Sequence, residues 1–388
     1  MGRSVLTRKI CVVVGSRANY SSIKSAMRVI EAHPDLALQL VVGASALLDR
    51  YGSLLETIEQ DGFSPSDTVF MLIEGETPST MAKSTGLGLL ELPTSFQRLQ
   101  PDIVLTVGDR FETMATALAA AYMNIPLAHT MGGEVSGNID ESIRHAVTKF
   151  AHIHFPACSE AADRIVRLGE RPETVHTVGC PRIDLVAEAL ADDSNELGRV
   201  FSEGVGDRFS LDEPFVVVSQ HPVTTEYGDG ERQINETLEA VRAVGLPAIV
   251  LWPNADAGAE EVARGIRKLR ERGLAEGMHF FKNLPTEDYV RLLARAACVV
   301  GNSSSAIREG SFIGVPAVNV GSRQAGRQRG TNVIDVDHDR TAIVAAIERH
   351  RAHGPYPSEP IYGDGRAGER IADVLASVEV TVQKRIAY

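Results

Sequence analysis

One feature constrains this chain more than any other: an alternation of short β-branched runs with longer helical patterns, carried out twice. In the first half the strand-like runs are 9–15, 38–42, 69–72, 103–107, 125–128, 152–155 and 174–178. Helical spacing falls between them over 20–32, 79–97 and 112–123. In the second half the strands are expected at 215–219, 248–252, 279–281, 298–301 and 317–320. Helices are expected there over 233–244, 259–272, 286–296, 341–351 and 367–378. Strands that alternate with helices of this length predict parallel sheets covered on both faces. At 388 residues the chain is too long for one ordinary core. The pattern breaks at Gly179-Cys180-Pro181-Arg182, and 191–207 is polar with no clear strand. The expectation is therefore α/β, with two Rossmann-like domains facing a cleft.

In open sheets of this kind, ligands bind outside the carboxyl ends of the strands. After the first strand comes Gly15-Ser16-Arg17-Ala18-Asn19-Tyr20. Its glycine and serine can offer backbone N–H groups to an anion and Arg17 adds charge, although an ordinary turn would look the same. It is not GxGxxG, so the dinucleotide fingerprint is absent. After the fourth strand, Gly108-Asp109-Arg110 puts Asp109 beside a helix start, as a cap or as a group facing the cleft. In the second half, Ser219-Gln220-His221-Pro222 ends a buried strand with a histidine held stiff by proline. Gly301-Asn302-Ser303-Ser304-Ser305 is the best anion signal, because hydroxyls and free amides converge there before a helix. A serine cap cluster is the alternative reading. Glu309, a turn and a half on, is placed to accept both hydroxyls of a ribose. The segment Gly321-Ser322-Arg323-Gln324-Ala325-Gly326-Arg327 adds two arginines at the same edge.

The densest stretch is 129–145, with two histidines, three carboxylates and an arginine in 17 residues. Asp140 and Arg144 are four apart, as are Glu141 and His145, so each pair shares a face if the segment is helical. A plain helix start would also place acids early and bases late.

Net charge is −12, from 51 acids against 39 Lys and Arg. That argues against nucleic acid or an anionic membrane surface as a partner, and a negatively charged ligand must be held by local donors. The four cysteines (Cys11, Cys158, Cys180 and Cys298) show no CxxC pairing and read as buried thiols. No metal spacing, P-loop or GxSxG elbow is present, so neither metal nor cofactor is expected. The first residues have no signal-peptide hydrophobic region and no run reaches the length of a membrane span, which points to the cytoplasm.

Several motifs taken together resemble the hydrolysing UDP-N-acetylglucosamine 2-epimerases of the sialic- and legionaminic-acid pathways. They are Gly-Ser-Arg-Ala-Asn-Tyr (15–20), Gly-Asp-Arg-Phe (108–111), Gly-Gly-Glu-Val-Ser-Gly-Asn-Ile-Asp-Glu-Ser-Ile-Arg-His-Ala (132–146) and Gly-Cys-Pro (179–181). Gln-His-Pro-Val-Thr-Thr (220–225), Pro-Asn-Ala-Asp-Ala-Gly (253–258), Gly-Asn-Ser-Ser (301–304) and Ile-Tyr-Gly-Asp-Gly (361–365) complete the set. The resemblance covers about residues 9–380. It implies a GT-B-like fold with a first domain over 1–185, a nucleotide-binding domain over 186–365, and a final helix in 366–388 crossing back to the first. It also implies a homodimer or homotetramer, and a metal-free reaction on a UDP- or GDP-linked sugar. In that reaction a base removes the C2 proton as the nucleoside diphosphate leaves C1. Water then adds to the glycal and a proton returns at C2 on the opposite face, giving N-acetylmannosamine and UDP. This requires an acid, a base and a charged cradle for the diphosphate.

Carried over by position, the catalytic set is Asp109, Glu134, Asp140, Arg144 and His221. The substrate-binding set is Arg17, Ser21, Arg110, His129, Met131, His145, Asn254, Asp256, Leu284, Ser303, Ser304, Glu309 and Arg323. The chain departs from the family pattern at four places on the sugar side. Met131 stands where a Glu is usual, Val107 and Ala46 where His is expected, and Asn19 where an acid is expected. A thioether cannot move a proton. Either UDP-N-acetylglucosamine remains the substrate with Glu134 or Asp109 as base, or the substrate is a 2,4-diacetamido-2,4,6-trideoxyglucose nucleotide, whose less polar sugar suits Met131, Ala46 and Val107. A GT-B glycosyltransferase and a non-catalytic nucleotide-sugar sensor are the readings from other classes.

Overall fold

Val, Ile and Leu fill the central strands of both halves, as a backbone covered on both faces requires. The computed structural model describes residues 7–48, 54–75, 77–137, 139–192, 197, 200–253, 256–282 and 284–388. In the first lobe, β1 (Arg8–Val14), β2 (Leu36–Gly43), β3 (Asp67–Val69), β4 (Ile103–Val107), β5 (Leu127–Thr130) and β6 (Ile153–Phe155) form one parallel sheet. Its order is β3-β2-β1-β4-β5-β6. The segment 174–178 is not a strand: it makes a single bridge, Val175 to His154, and a 3-10 turn starting at Pro172 occupies its beginning.

The second lobe repeats the arrangement with β7 (Val205–Gly206), β8 (Val216–Ser219), β9 (Ala248–Leu251), β10 (Met278–Phe281), β11 (Cys298–Gly301), β12 (Ala317–Val320) and β13 (Val333–Val336). The order is β13-β12-β11-β8-β9-β10-β7. Two of these strands have no counterpart in the sequence reading. β7 is two residues long and antiparallel to β10, so this sheet is not wholly parallel. β13 is a partly exposed edge strand.

In both sheets the strand order reverses beside the strand that opens the parallel series. In the first lobe this happens between β1 and β4, and in the second between β8 and β11. Each reversal opens a crevice at the strands' carboxyl ends. Four of the loops singled out from sequence therefore fall at two switch points: 15–20 beside 108–111, and 219–225 beside 301–305.

The final helix Ala367–Ser377 returns to the first lobe and packs on helix Lys24–Ala32, with Ile371, Ala372 and Leu375 in the same core as Ile23, Met27 and Ile30. A Cβ on Gly368 would come within 2.9 Å of the Ala26 nitrogen, so glycine permits this close crossing. Asp184 accepts hydrogen bonds from the first amides of that helix, Ala367 N at 2.9 Å and Gly368 N at 2.7 Å, and from Ser25 Oγ at 2.9 Å. Asp184 belongs to helix Pro181–Ala191, which contacts both lobes, so the 185/186 division expected from sequence lies within a helix. The proline read as a break is that helix's first residue, a position where its missing N–H costs nothing. All four cysteines are buried and unpaired. Among the described residues no helix is long and apolar enough to cross a membrane.

Candidate active site

The two switch points face one another across a cavity lined by both lobes. On the first lobe Asn19 ties the loops after β1 and β4 together. Its Oδ1 accepts from Gly15 N at 3.3 Å and Ser16 Oγ at 3.0 Å, and its amide donates to Val107 O at 3.4 Å. A neutral amide does here what an acid could not, because it donates as well as accepts. Arg17, beside it, donates to the Leu284 carbonyl of the other lobe at 3.5 Å. Burial lowers its guanidinium to about 10.

Asp109 projects from the loop after β4. Arg144, on helix Ile139–Phe150, donates to Asp109 Oδ2, to Ser136 Oγ at 3.3 Å and to the Glu134 carbonyl at 2.7 Å. Burial alone would raise Asp109, but Arg144, with Arg327 and Arg308 behind it, outweighs this and holds the carboxyl below its usual range. Asp140, in the first turn of the same helix, shifts the other way. Burial, reinforced by Asp109 and Asp256, pushes it up to about 7. Arg110, which also lines the cavity, pairs with Asp256 at 2.6 Å and Glu112 at 2.8 Å.

Met131 and Gly133 both have left-handed backbones, with φ of 60° and 76°. The Met131 sulfur lies 3.7 Å from Cys180 Sγ and 3.8 Å from Arg308 Nη1. Glu134 is 4% exposed and clasped from the second lobe, by Arg327 at 2.7 Å and Arg308 at 3.8 Å.

The second lobe supplies the other wall. Asn302 binds His221 through both backbone groups, accepting from its N–H at 2.7 Å and donating to its carbonyl at 2.9 Å. Burial, aided by Arg323, pushes His221 down to about 3, so the ring is neutral. Gly301 is required where β8 and β11 meet: its φ is 134°, and a Cβ there would lie 2.2 Å from the Ser219 carbonyl. The three serines that follow line the cavity. Ser304 Oγ accepts from Arg308 at 2.8 Å, and Ser305 Oγ meets Tyr289 OH at 2.6 Å. Arg323 donates to the Asn302 carbonyl at 3.2 Å.

The sequence profile of the family described as UDP-N-acetylglucosamine 2-epimerase matches residues 28–376. A hydrolysing UDP-N,N'-diacetylbacillosamine 2-epimerase of Legionella pneumophila is 32% identical over 378 residues, covering 97% of this chain and 98% of that protein. The chain belongs to this epimerase family. A UDP-N-acetylglucosamine 2-epimerase of Neisseria meningitidis serogroup B is 30% identical, again with 97% and 98% covered. The fold agrees with solved epimerases. The Neisseria meningitidis UDP-GlcNAc 2-epimerase bound to UDP-GlcNAc superposes with a TM-score of 0.78 at 16% identity, covering 95% of this chain and 99% of that one. The Methanocaldococcus jannaschii enzyme in complex with UDP-GlcNAc and UDP gives 0.77 at 17% identity, with the same coverage.

In this epimerase the cavity brings together twelve of the residues singled out from sequence: Arg17, Asp109, Arg110, Met131, Glu134, Asp140, Arg144, His221, Leu284, Ser303, Ser304 and Arg323. Five others lie elsewhere. Ser21 accepts from Arg182 and faces a neighbouring pocket. His129 is fully buried beneath the β4 loop, its Nε2 donating to the Gly108 carbonyl at 2.7 Å. Burial pushes that ring down to about 3. His145 pairs with Glu141 at 3.7 Å outside the cavity, so of the two helical pairs only Asp140 and Arg144 face inward. Asp256 sits behind Arg110. Glu309 is buried and ion-paired with Arg182 at 3.1 Å, and among the described residues no group makes a well-aligned hydrogen bond to either of its oxygens. Asn254 lies outside the described residues. Sequence reasoning passed over Arg308, Arg182 and Tyr289, and gave Arg327 no role beyond its charge. Arg308 follows the serine motif, read for its hydroxyls, by three residues. Nothing in the spacing of Tyr289 shows that helix Thr286–Arg295 turns it toward Ser305. Among the described residues no group of three or more His, Cys, Asp or Glu is arranged to hold a metal ion.

Proposed function

We propose that this epimerase hydrolyses a nucleoside-diphosphate 2-acetamido sugar with inversion at C2, converting UDP-N-acetylglucosamine to N-acetylmannosamine and UDP for nonulosonic-acid synthesis. One observation carries the reading. Two carboxylates share a cavity, and their surroundings drive their protonation apart, which is what separates a base from an acid at one pH. Asp109, ionised by its arginines, is the base. Asp140, protonated up to about pH 7, is the acid.

In the elimination, the C2–H bond breaks and its proton goes to Asp109. The electron pair forms the C1=C2 bond, and the C1–O bond breaks with its pair leaving on the diphosphate. Arg17, Arg323 and the hydroxyls of Ser303 and Ser304 line the wall where that charge appears. In the hydration, Asp140 delivers a proton to the opposite face of C2 and water bonds to C1. The proton that water sheds restores Asp140, and Asp109 returns its proton to solvent. Glu309, buried outside the cavity and paired with Arg182 at 3.1 Å, acts on the nucleotide through that arginine, which lines the wall. Glu134, clasped by Arg308 and Arg327, ties the lobes together and is not the replacement base.

A second reading keeps the chemistry and changes the sugar to a UDP- or GDP-linked 2,4-diacetamido-2,4,6-trideoxyglucose. The observation favouring it is the buried Met131, in a cavity that Val107 also lines, with the Cys180 thiol against its sulfur. Relatives of Legionella and Campylobacter jejuni are named for diacetylbacillosamine nucleotides. Both sugars offered on UDP and GDP in heavy water, followed by NMR, test the two readings together. The expected result is a free sugar bearing deuterium at C2 and released nucleoside diphosphate. A released sugar without deuterium at C2 excludes the elimination, and intact donor in the absence of an acceptor points instead to a transferase.

A further inference from the structure

We propose that the segment 380–388, through Lys384, is a positioning element for the two cavity carboxylates, an inference that rests on the epimerase reading above. Lys384 Nζ donates to the carbonyls of Thr148 at 3.1 Å, Lys149 at 2.8 Å and Ala151 at 2.5 Å, and pairs with Glu170 at 2.7 Å. Those carbonyls close helix Ile139–Phe150, where unpaired oxygens and the helix dipole favour a cation. Glu170 is buried and also pairs with Lys149 at 2.5 Å and His154 at 3.2 Å, so the lysine is locked from a second side. The segment is anchored on either side of Lys384. His152 donates to the Val382 carbonyl at 3.0 Å, and Ala387 N donates to the Gly169 carbonyl at 2.9 Å. Gly169 has no room for more: a Cβ would come within 2.8 Å of Tyr388 and 3.1 Å of Ile386.

Two routes lead from this anchor to the cavity. One is the helix itself, which carries Asp140 in its first turn and Arg144, the grip on Asp109, one turn later. The other runs from Thr148 to His129 Nδ1 at 3.4 Å, and from His129 Nε2 to the carbonyl of Gly108, the residue before Asp109. This second route has no slack. A Cβ on Gly132 would lie 2.9 Å from His129 Nδ1 and 3.1 Å from Thr148 Oγ1. Among the described residues, none of 380–388 lines the cavity. Lys384 therefore acts through other groups, by fixing one end of a stiff helix whose other end does the chemistry.

The test uses the full chain as wild type, Lys384→Met and Lys384→Arg. Methionine keeps an apolar stem and removes the donors. In Lys384→Met, kcat falls about tenfold while KM and UDP affinity stay within about twofold, and arginine restores most of the loss. The pH profile supplies a readout that plain destabilisation would not move. Asp140 faces Asp109 and Arg110 from the loop after β4, Asp256 from the loop after β9, Arg323 from the loop after β12, and Arg144 on its own helix. Loosening the helix lets water reach Asp140, so the alkaline limb of kcat moves to lower pH in Lys384→Met and returns in Lys384→Arg. Independently of turnover, amide exchange over 139–146 becomes faster in the methionine variant. Unchanged kcat and pH limb, or unchanged exchange in that helix, overturns the proposal. So does a loss of kcat that tracks Tm and UDP affinity while the limb stays put. Wild type that turns over no nucleotide sugar sinks the epimerase reading instead, and the exchange measurement still decides on Lys384.

Discussion

Asp109 and Asp140 are the same functional group in one cavity, and what separates them is which charges each one faces. The first is held ionised by Arg144, Arg327 and Arg308, and the second is pushed up to about 7 by burial and by two carboxylates. A protonated Asp140 is required, so its contribution is present below about pH 7 and is lost as pH rises through that value; kcat measured from pH 5 to 9 should decline on the alkaline side. An alkaline limb placed well above 9 would remove Asp140 from the role of acid. Asp109→Asn and Asp140→Asn are each expected to lower kcat by about 100-fold or more while UDP binding, measured by calorimetry, persists. Near-normal turnover in either would refute its assignment. Met131→Glu is tolerated in the fold, because Arg308 lies 3.8 Å from the sulfur and supplies a counter-charge. If UDP-N-acetylglucosamine is turned over faster by this variant than by wild type, Met131 marks a change of sugar.

The elements that carry these residues were legible wherever burial on two faces leaves a continuous apolar run. β4, β11 and β12 were expected over the residues they occupy, and β1 within a residue. β7 and β13 were not, since a two-residue edge and a half-exposed edge strand carry no such signal. The site loops were legible because strand ends at a switch point are where ligands bind, whatever the sequence says about partners. The partners themselves were not. Arg144 pairs with Asp140 by its spacing along the helix, whereas in the structure it donates to Asp109 in the loop after β4, a contact that spacing along the chain does not encode. The loop after β5 shows how little latitude such a turn has. Gly133 has a φ of 76°, and a Cβ there would sit 2.3 Å from the Ala161 carbonyl. Gly133→Ala should cost about 2 kcal/mol or more, read as a lowered midpoint in urea. An unchanged midpoint would mean the loop can rebuild itself without loss.

At the scale of the whole molecule, the lobes meet through charge: Arg110 with Asp256, and Glu134 with Arg308 and Arg327. Glu134→Gln leaves two buried guanidinium groups without their counter-ion, which disfavours the closed arrangement. X-ray scattering should then show a larger radius of gyration without UDP and a compaction on adding it, with KM raised about tenfold. Identical scattering curves for variant and wild type would remove Glu134 from any part in closure. The return of helix Ala367–Ser377 to the first lobe bears on the kind of motion that closure can be. A chain that goes over once leaves its two halves joined by a single pin, free both to swing and to swivel. Here it goes over and comes back, and the returning leg is fastened by Asp184 at one end of its helix and Arg8 at the other. A gate hung on two pins can only swing about the line through them, so a closure over ligand would bring the lobes together in the same register each time. Cutting the return leg would leave the active groups untouched and cost the enzyme its alignment.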